Sequence, residues 1–128
     1  MALRLRALAP EFAIARLMPG EPLPSWADGG SVTMVTRTPD ELSVLIEAER
    51  VPDGIRCERA WCGFVVEGPL AFTLTGILAS VLHPLAHAAV PVLAMSTFDT
   101  DYVFVKRADR EHAIDVLAGA GHVVLPAA

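Results

Sequence analysis

Apolar and polar positions change their period several times along the chain, and each change marks an element. In the second half, residues 62–67 form a short β-rich run around Phe64, Val65 and Val66, closed by Gly68 and Pro69. Residues 75–89 carry apolar side chains at helical spacing, with Pro84 placed to bend the helix they predict. Residues 92–97 and 102–106 read as strands joined through Asp99, Thr100 and Asp101, which favour turns, so they predict a hairpin. A second helix is expected from Asp109. Ala108 or Asp109 stands near its N-cap and Glu111 in its first turn, Ala113, Ile114, Val116 and Leu117 supply its apolar positions, and Gly119 and Gly121 stop it. Residues 122–125 give a last strand. The order β-α-β-β-α-β describes a ferredoxin-like unit, an antiparallel sheet with both helices on one face.

The first half is less plain. Residues 39–49 begin with acidic positions and continue with Leu42, Val44, Leu45 and Ile46, a pattern that suits a helix. An internal comparison favours strand. Laying residues 32–46 over residues 92–106 pairs Thr36 with Ser96, Glu41 with Asp101 and Val44 with Phe104. Residues 31–37 and 42–48 are therefore expected to form a hairpin equivalent to the later one. Residues 12–17 would open this repeat as a strand, and the Pro-rich residues 19–30 stand where a full helix should be. Residues 51–58, interrupted by Pro52 and Gly54, are too short for a long second helix. The expected fold class is thus α+β: two tandem ferredoxin-like halves, an abbreviated one over residues 1–60 and a complete one over residues 61–128.

Composition narrows the function classes. A chain of 128 residues, 53% of them hydrophobic, can bury a core without disulfides or metal. Its net charge of −5 and scattered basic residues give no stripe for phosphates, so neither nucleic acid nor an anionic membrane is an expected partner. Residues 68–98 contain no charged side chain, a length that could span a bilayer. Pro69, Gly76, Pro84 and Pro91 punctuate that stretch, and His83 and His87 near its middle would be costly to desolvate, so a buried turn, helix and strand fit better. Residues 1–10 hold Arg4 and Arg6 but no long apolar core of a secretory signal, and a cytoplasmic location is expected.

Candidate chemistry is sparse. Cys57 and Cys62 stand alone in a C-x4-C spacing without a nearby His, which indicates idle thiols, neither a zinc knuckle nor a disulfide scaffold. His83 and His87 are spaced to chelate on a helix, yet no third ligand is near and Pro84 disturbs the geometry, so no metal is expected. Ser96 and Thr97 lack a G-x-S-x-G elbow or a recognisable triad His, and no glycine-rich phosphate loop follows a strand, so neither an enzyme nor a cofactor is expected. Trp26 and Trp61 read as core or interface anchors.

Three blocks carry a resemblance: residues 36–44 (TRTPDELSV), residues 66–70 with 75–78 (VEGPL, TGIL), and residues 96–102 (STFDTDY). Together they resemble the ACT-domain family that includes the CASTOR-type arginine sensors and short bacterial proteins with two ACT halves, over roughly residues 12–122. The resemblance implies a regulatory module without chemistry of its own, binding an amino-acid effector between ACT units and pairing as a homodimer. Carried over by motif, Gly76 lies where backbone approaches the ligand, Thr97 and Phe98 stand on a strand end, and Asp101 stands where a carboxylate meets a cationic group. Ala79 occupies the helical turn in which the arginine sensors hold an acid, so the resemblance here implies a neutral amino acid in preference to arginine. Thr75 is the expected N-cap, with the amides of Gly76 and Ile77 left for the ligand carboxylate.

Plainer readings stand beside these. Asp99 and Asp101 also suit ordinary turn residues, and Gly76 also suits close packing at a helix start. The rival to an amino-acid sensor is an ACT-like interaction or dimerisation module with no ligand. A polar pocket between residues 74–79 and 97–101 would favour the first, and a filled contact the second.

Overall fold

A computed structural model describes all residues, Met1–Ala128. Seven strands and two helices follow one another: β1 (Arg4–Leu17), β2 (Met34–Arg37), β3 (Leu42–Glu47), β4 (Cys57–Val66), α1 (Ile77–His87), β5 (Leu93–Ser96), β6 (Asp101–Lys106), α2 (Arg110–Gly119) and β7 (Val123–Leu125). The chain divides into two compact units, Pro10–Trp61 and Met1–Ala9 with Cys62–Ala128. Strands β1 and β4 each pass from one unit into the other, and both are longer than their sequence runs predict.

The C-terminal unit has the expected β-α-β-β-α-β order, and its strands lie as β7-β1-β4-β6-β5. One expectation is corrected here: the sheet is not wholly antiparallel. Residues Arg4, Leu5 and Arg6 pair in parallel with Val123, Val124 and Leu125, because the start of the chain occupies the place between β4 and β7. Alternation then sets the core. Leu5 and Ala7, Phe64 and Val66, and Val103 and Val105 project from three strands onto Val81 and Leu85 of α1 and Ala113 and Leu117 of α2. Each of the larger side chains is fully buried, worth about 1.5–3 kcal/mol apiece. The charge-free stretch thus supplies a loop, a helix and a strand, and no helix is long and apolar enough to cross a membrane.

His122 is the one buried polar side chain, and it ties three segments together. The Leu3 amide donates to its Nδ1 at 3.1 Å, which leaves the ring proton on Nε2 for the Ser80 carbonyl 2.9 Å away.

In the N-terminal unit β2, β3 and β1 are antiparallel neighbours, with Val35 opposite Val44 and Ala13 opposite Ile46. Residues 42–47 are strand as the internal comparison predicts; Leu42, Val44, Leu45 and Ile46 are all buried. Ala13, Ala27, Val44, Ile46, Ala48 and Val51 form a core of their own. Charged side chains do the work of the missing helices. Arg50 reaches the carbonyls of Trp26 and Asp28, Arg59 reaches those of Ala48 and Val51, and Glu47 accepts the amide and hydroxyl of Ser31. Those two Ser31 bonds, with Arg50 nearby, hold the Glu47 carboxyl below its ordinary pKa.

The internal repeat is present in the two hairpins, shifted by one residue from the pairing read in the sequence. The last pair before the turn is Arg37 with Leu42 in one hairpin and Ser96 with Asp101 in the other. Thr38 therefore corresponds to Thr97, Asp40 to Asp99 and Val44 to Val103. A one-residue slip exchanges the faces of a strand, and only the corrected register matches buried Val44, Leu45 and Ile46 with buried Val103, Phe104 and Val105. The short 3-10 turns Ala48–Arg50 and Arg107–Asp109 follow at the same offset.

Candidate functional site

A cleft of about 220 Å³ lies in the C-terminal unit between the loop leading into α1 and the β5-β6 turn. The turn is built by threonine. The Thr97 amide donates to the Thr100 carbonyl at 2.8 Å, and the Thr100 amide donates to the Thr97 hydroxyl at 3.2 Å. This leaves Phe98 and Asp99 at the tip, and the Phe98 ring is 79% exposed. Across the strand pair, the Ser96 hydroxyl donates to Asp101 Oδ1 at 2.5 Å and fixes that carboxylate at the mouth of the cleft.

The facing loop is seated on the turn by backbone. Leu70 N–H donates to the Asp99 carbonyl at 2.7 Å, and the Thr100 hydroxyl donates to the Val66 carbonyl at 2.5 Å. Gly68 suits the place where the two meet: a Cβ there would lie 3.1 Å from both Asp99 O and Leu70 N, tighter than an ordinary contact. On the outer side of β4, Glu67 accepts from Arg4 at 2.9 Å and Arg6 at 3.1 Å, and these bonds lower its carboxyl pKa. The loop then brings Leu70, Phe72, Leu74 and Ile77 to the cleft, and Phe72 meets Phe98 edge to face, ring centroids 5.0 Å apart.

Of the residues singled out in the sequence, Thr97, Phe98 and Asp101 line this cleft together. Gly76 and Ala79 stand outside its lining. Gly76 itself is the residue before α1, with φ +74°, and Thr75 does not cap the helix as expected. A left-handed backbone at this position suits glycine, which takes the capping place without any side-chain hydrogen bond. The amide of Ser80 is the first to find a helical carbonyl, that of Gly76, at 2.9 Å. Ala79 is exposed on the first turn.

Phe72 and Leu70 were not foreseen as site residues. Phe72 could have been suspected, because a phenylalanine flanked by Ala71, Thr73 and the Pro69 and Gly76 breakers has no helical or strand partner to bury it. No Lys, Arg or His lines the cleft, so Asp99 and Asp101 set its charge. Elsewhere, His83 and His87 are both exposed, and no group of three His, Cys, Asp or Glu side chains converges as a metal site would require.

The protein Atu0741 of Agobacterium tumefaciens has a crystal structure similar to this one, with 40% identity over 100% of this chain and 96% of that one and a TM-score of 0.95. A Vibrio cholerae protein of unknown function, described as a possible transport protein, has a TM-score of 0.75 at 15% identity, over 94% and 91% of the two chains. The ligand-free regulatory subunit of aspartate kinase from Thermus thermophilus has a TM-score of 0.59 at 12% identity, over 87% and 93%. These last two show likeness of fold. None of the curated proteins matches the sequence. A model of an N-terminal domain matches residues 10–54, and the model of the ACT domain matches residues 56–119, half of the chain. The chain belongs to the ACT-domain family.

Proposed function

We propose that this protein is a regulatory module that binds an amino acid and has no catalytic activity of its own. One observation carries the reading: residues 70–77 and 96–101 face each other across an open cleft with one fixed carboxylate, where an interaction module without a ligand would have a filled contact. The ligand is a neutral amino acid. Its ammonium meets Asp101, whose second oxygen is left by the Ser96 bond, and its side chain lies against Leu74, Phe72 and Phe98. Its carboxylate turns toward the start of α1 at Gly76, with Ala79 in the first turn offering no anion for a guanidinium. The family match and the likeness to an aspartate kinase regulatory subunit support the regulatory class.

The finer parts of the reading belong with it. Residues 10–61 are the abbreviated ACT-like half and residues 62–128, joined by residues 1–9, the complete one, so the start of the chain belongs with the second half and not, as the division after residue 60 had it, with the first. The protein is cytoplasmic, is related to the arginine sensors within its family, and acts as a homodimer. The homodimer is motivated by β5, an edge strand ending in Ser96 and followed in the turn by the exposed Phe98.

A thermal-shift screen of the twenty amino acids tests the proposal. A ligand at a hundredfold excess over its dissociation constant adds about 2.7 kcal/mol of stability. Asp101→Asn should weaken binding about tenfold or more. If no amino acid stabilises the wild type, the ligand-free interaction module is the better reading. Light scattering should give twice the chain mass, and a monomer at micromolar concentration would refute the homodimer.

A further inference from the structure

A second cleft, of about 240 Å³, lies wholly within the N-terminal unit on one face of its sheet. Its lining joins Glu41, just before β3, Ser43 of β3, Arg16 of β1, Arg56, just before β4, and Glu58 of β4. The strand register explains the grouping. Arg16 is opposite Ser43 on one side, and on the other its amide donates to the Arg56 carbonyl at 2.9 Å. Residues opposed in this way direct their side chains to the same face, with Cβ atoms about 4.5–5.5 Å apart. The other face carries the apolar core of the unit, Ala13, Val44 and Ile46.

The two guanidiniums are not consumed by the fold. Arg16 donates once, to the Asp40 carbonyl at 3.1 Å, and the Arg56 side chain makes no hydrogen bond or ion pair. Glu41 is held in place by the Ser43 hydroxyl at 2.5 Å. Two cations and two anions thus share one small concavity, and the cations have donors to spare. A simple anion would be drawn by Arg16 and Arg56 and repelled by Glu41 and Glu58; a simple cation meets the reverse. A molecule carrying both charges a few bonds apart satisfies both sets.

We propose that this cleft is a second binding site, for a zwitterion of the free α-amino-acid class, with its carboxylate on Arg16 and Arg56 and its ammonium on the Glu41 side. It is independent of the cleft at Asp101: the two lie in different units and share no lining residue.

Amide NMR spectra of the full chain, titrated with each of the twenty amino acids in turn, test it. At least one should shift the Arg16, Ser43 and Arg56 amides saturably, while acetate and methylammonium at the same concentrations should not. Arg56→Gln, which removes no bond of the fold, should keep the folded spectrum and weaken that binding about tenfold or more. The proposal is overturned if none of the twenty shifts those amides, if acetate or methylammonium alone shifts them as well, or if Arg56→Gln binds as the wild type does. The Thr97, Phe98 and Asp101 amides report the other cleft in the same spectra, so either site can fail without the other.

Discussion

His122 Nε2–H donates a hydrogen bond to the carbonyl of Ser80, 2.9 Å away, and so fastens the first turn of α1 to the start of β7. Its other nitrogen receives the Leu3 amide, so one ring holds the segments that flank the core of the C-terminal unit. His122→Ala leaves the half-buried Leu3 amide and Ser80 carbonyl unmatched, at a cost of up to about 1–3 kcal/mol each. The midpoint of urea unfolding should fall accordingly with little change in slope. An unchanged midpoint would mean that water satisfies both groups.

Acid should loosen the same unit where the end of β4 meets β1. Arg4 and Arg6 hold the Glu67 carboxyl below its ordinary value of 4.5, so the folded state binds the proton less readily than the unfolded chain. Its contribution is present above the unfolded value and is lost as pH falls through the lower folded one. Glu47, held low by Ser31, acts in the same direction. Stability measured from about pH 6 to about pH 3 should therefore decline, and Glu67→Gln should flatten part of that decline. An identical pH profile in the variant would remove Glu67 from this account.

Gly63 is fixed by its neighbours. A Cβ at this position of β4 would lie 2.7 Å from the Phe104 ring and 2.8 Å from Leu8 Cδ1, both closer than real contacts allow. Gly63→Ala should cost about 1–3 kcal/mol, the usual penalty of overpacking. Gly119→Ala, with nothing within 4 Å of its added methyl, is the control and should not destabilise. Equal effects in the two variants would show that backbone preference and not crowding governs Gly63.

The second hairpin and both helices were legible because each has a signal internal to its own residues, alternation, turn chemistry or a 3.6 period, whereas the first hairpin, whose own pattern suits a helix, was legible only by comparison with the second. The N-terminal part of β1 was not. Residues 4–9 alternate Arg4, Leu5, Arg6 and Ala7 correctly for a strand, but their partners are β4 and β7, more than fifty residues away. The register of the repeat was missed by one for a similar reason. Matching residue types pairs Glu41 with Asp101, whereas the hydrogen bonds align Thr38 with Thr97. At the cleft, Thr97, Phe98 and Asp101 were readable from one turn, while Phe72 enters only through the fold of its loop.

Both helices end in the same backbone device, and only one of them has the residue it favours. After α2, Gly121 has φ +95°, its amide donates to Ala118 O at 3.0 Å, and His122 N–H donates to Leu117 O at 3.1 Å. After α1, Ala89 takes the corresponding place with φ +60°; its amide donates to Ala86 O at 3.0 Å, and Val90 N–H donates to Leu85 O at 2.9 Å. A left-handed alanine is strained by roughly 1–2 kcal/mol, against roughly 0.5–1 kcal/mol of chain entropy that glycine loses on folding. Ala89→Gly should therefore stabilise the protein by about 0.5–1 kcal/mol, and Gly121→Ala should destabilise it by a similar amount. No atom lies within 4 Å of a Cβ built on Gly121, so crowding cannot account for the second effect. Thermal unfolding of the two variants and of the double exchange should show shifts of opposite sign that cancel when combined. If Ala89→Gly lowers the melting temperature, the strain at Ala89 is smaller than the entropy glycine loses there.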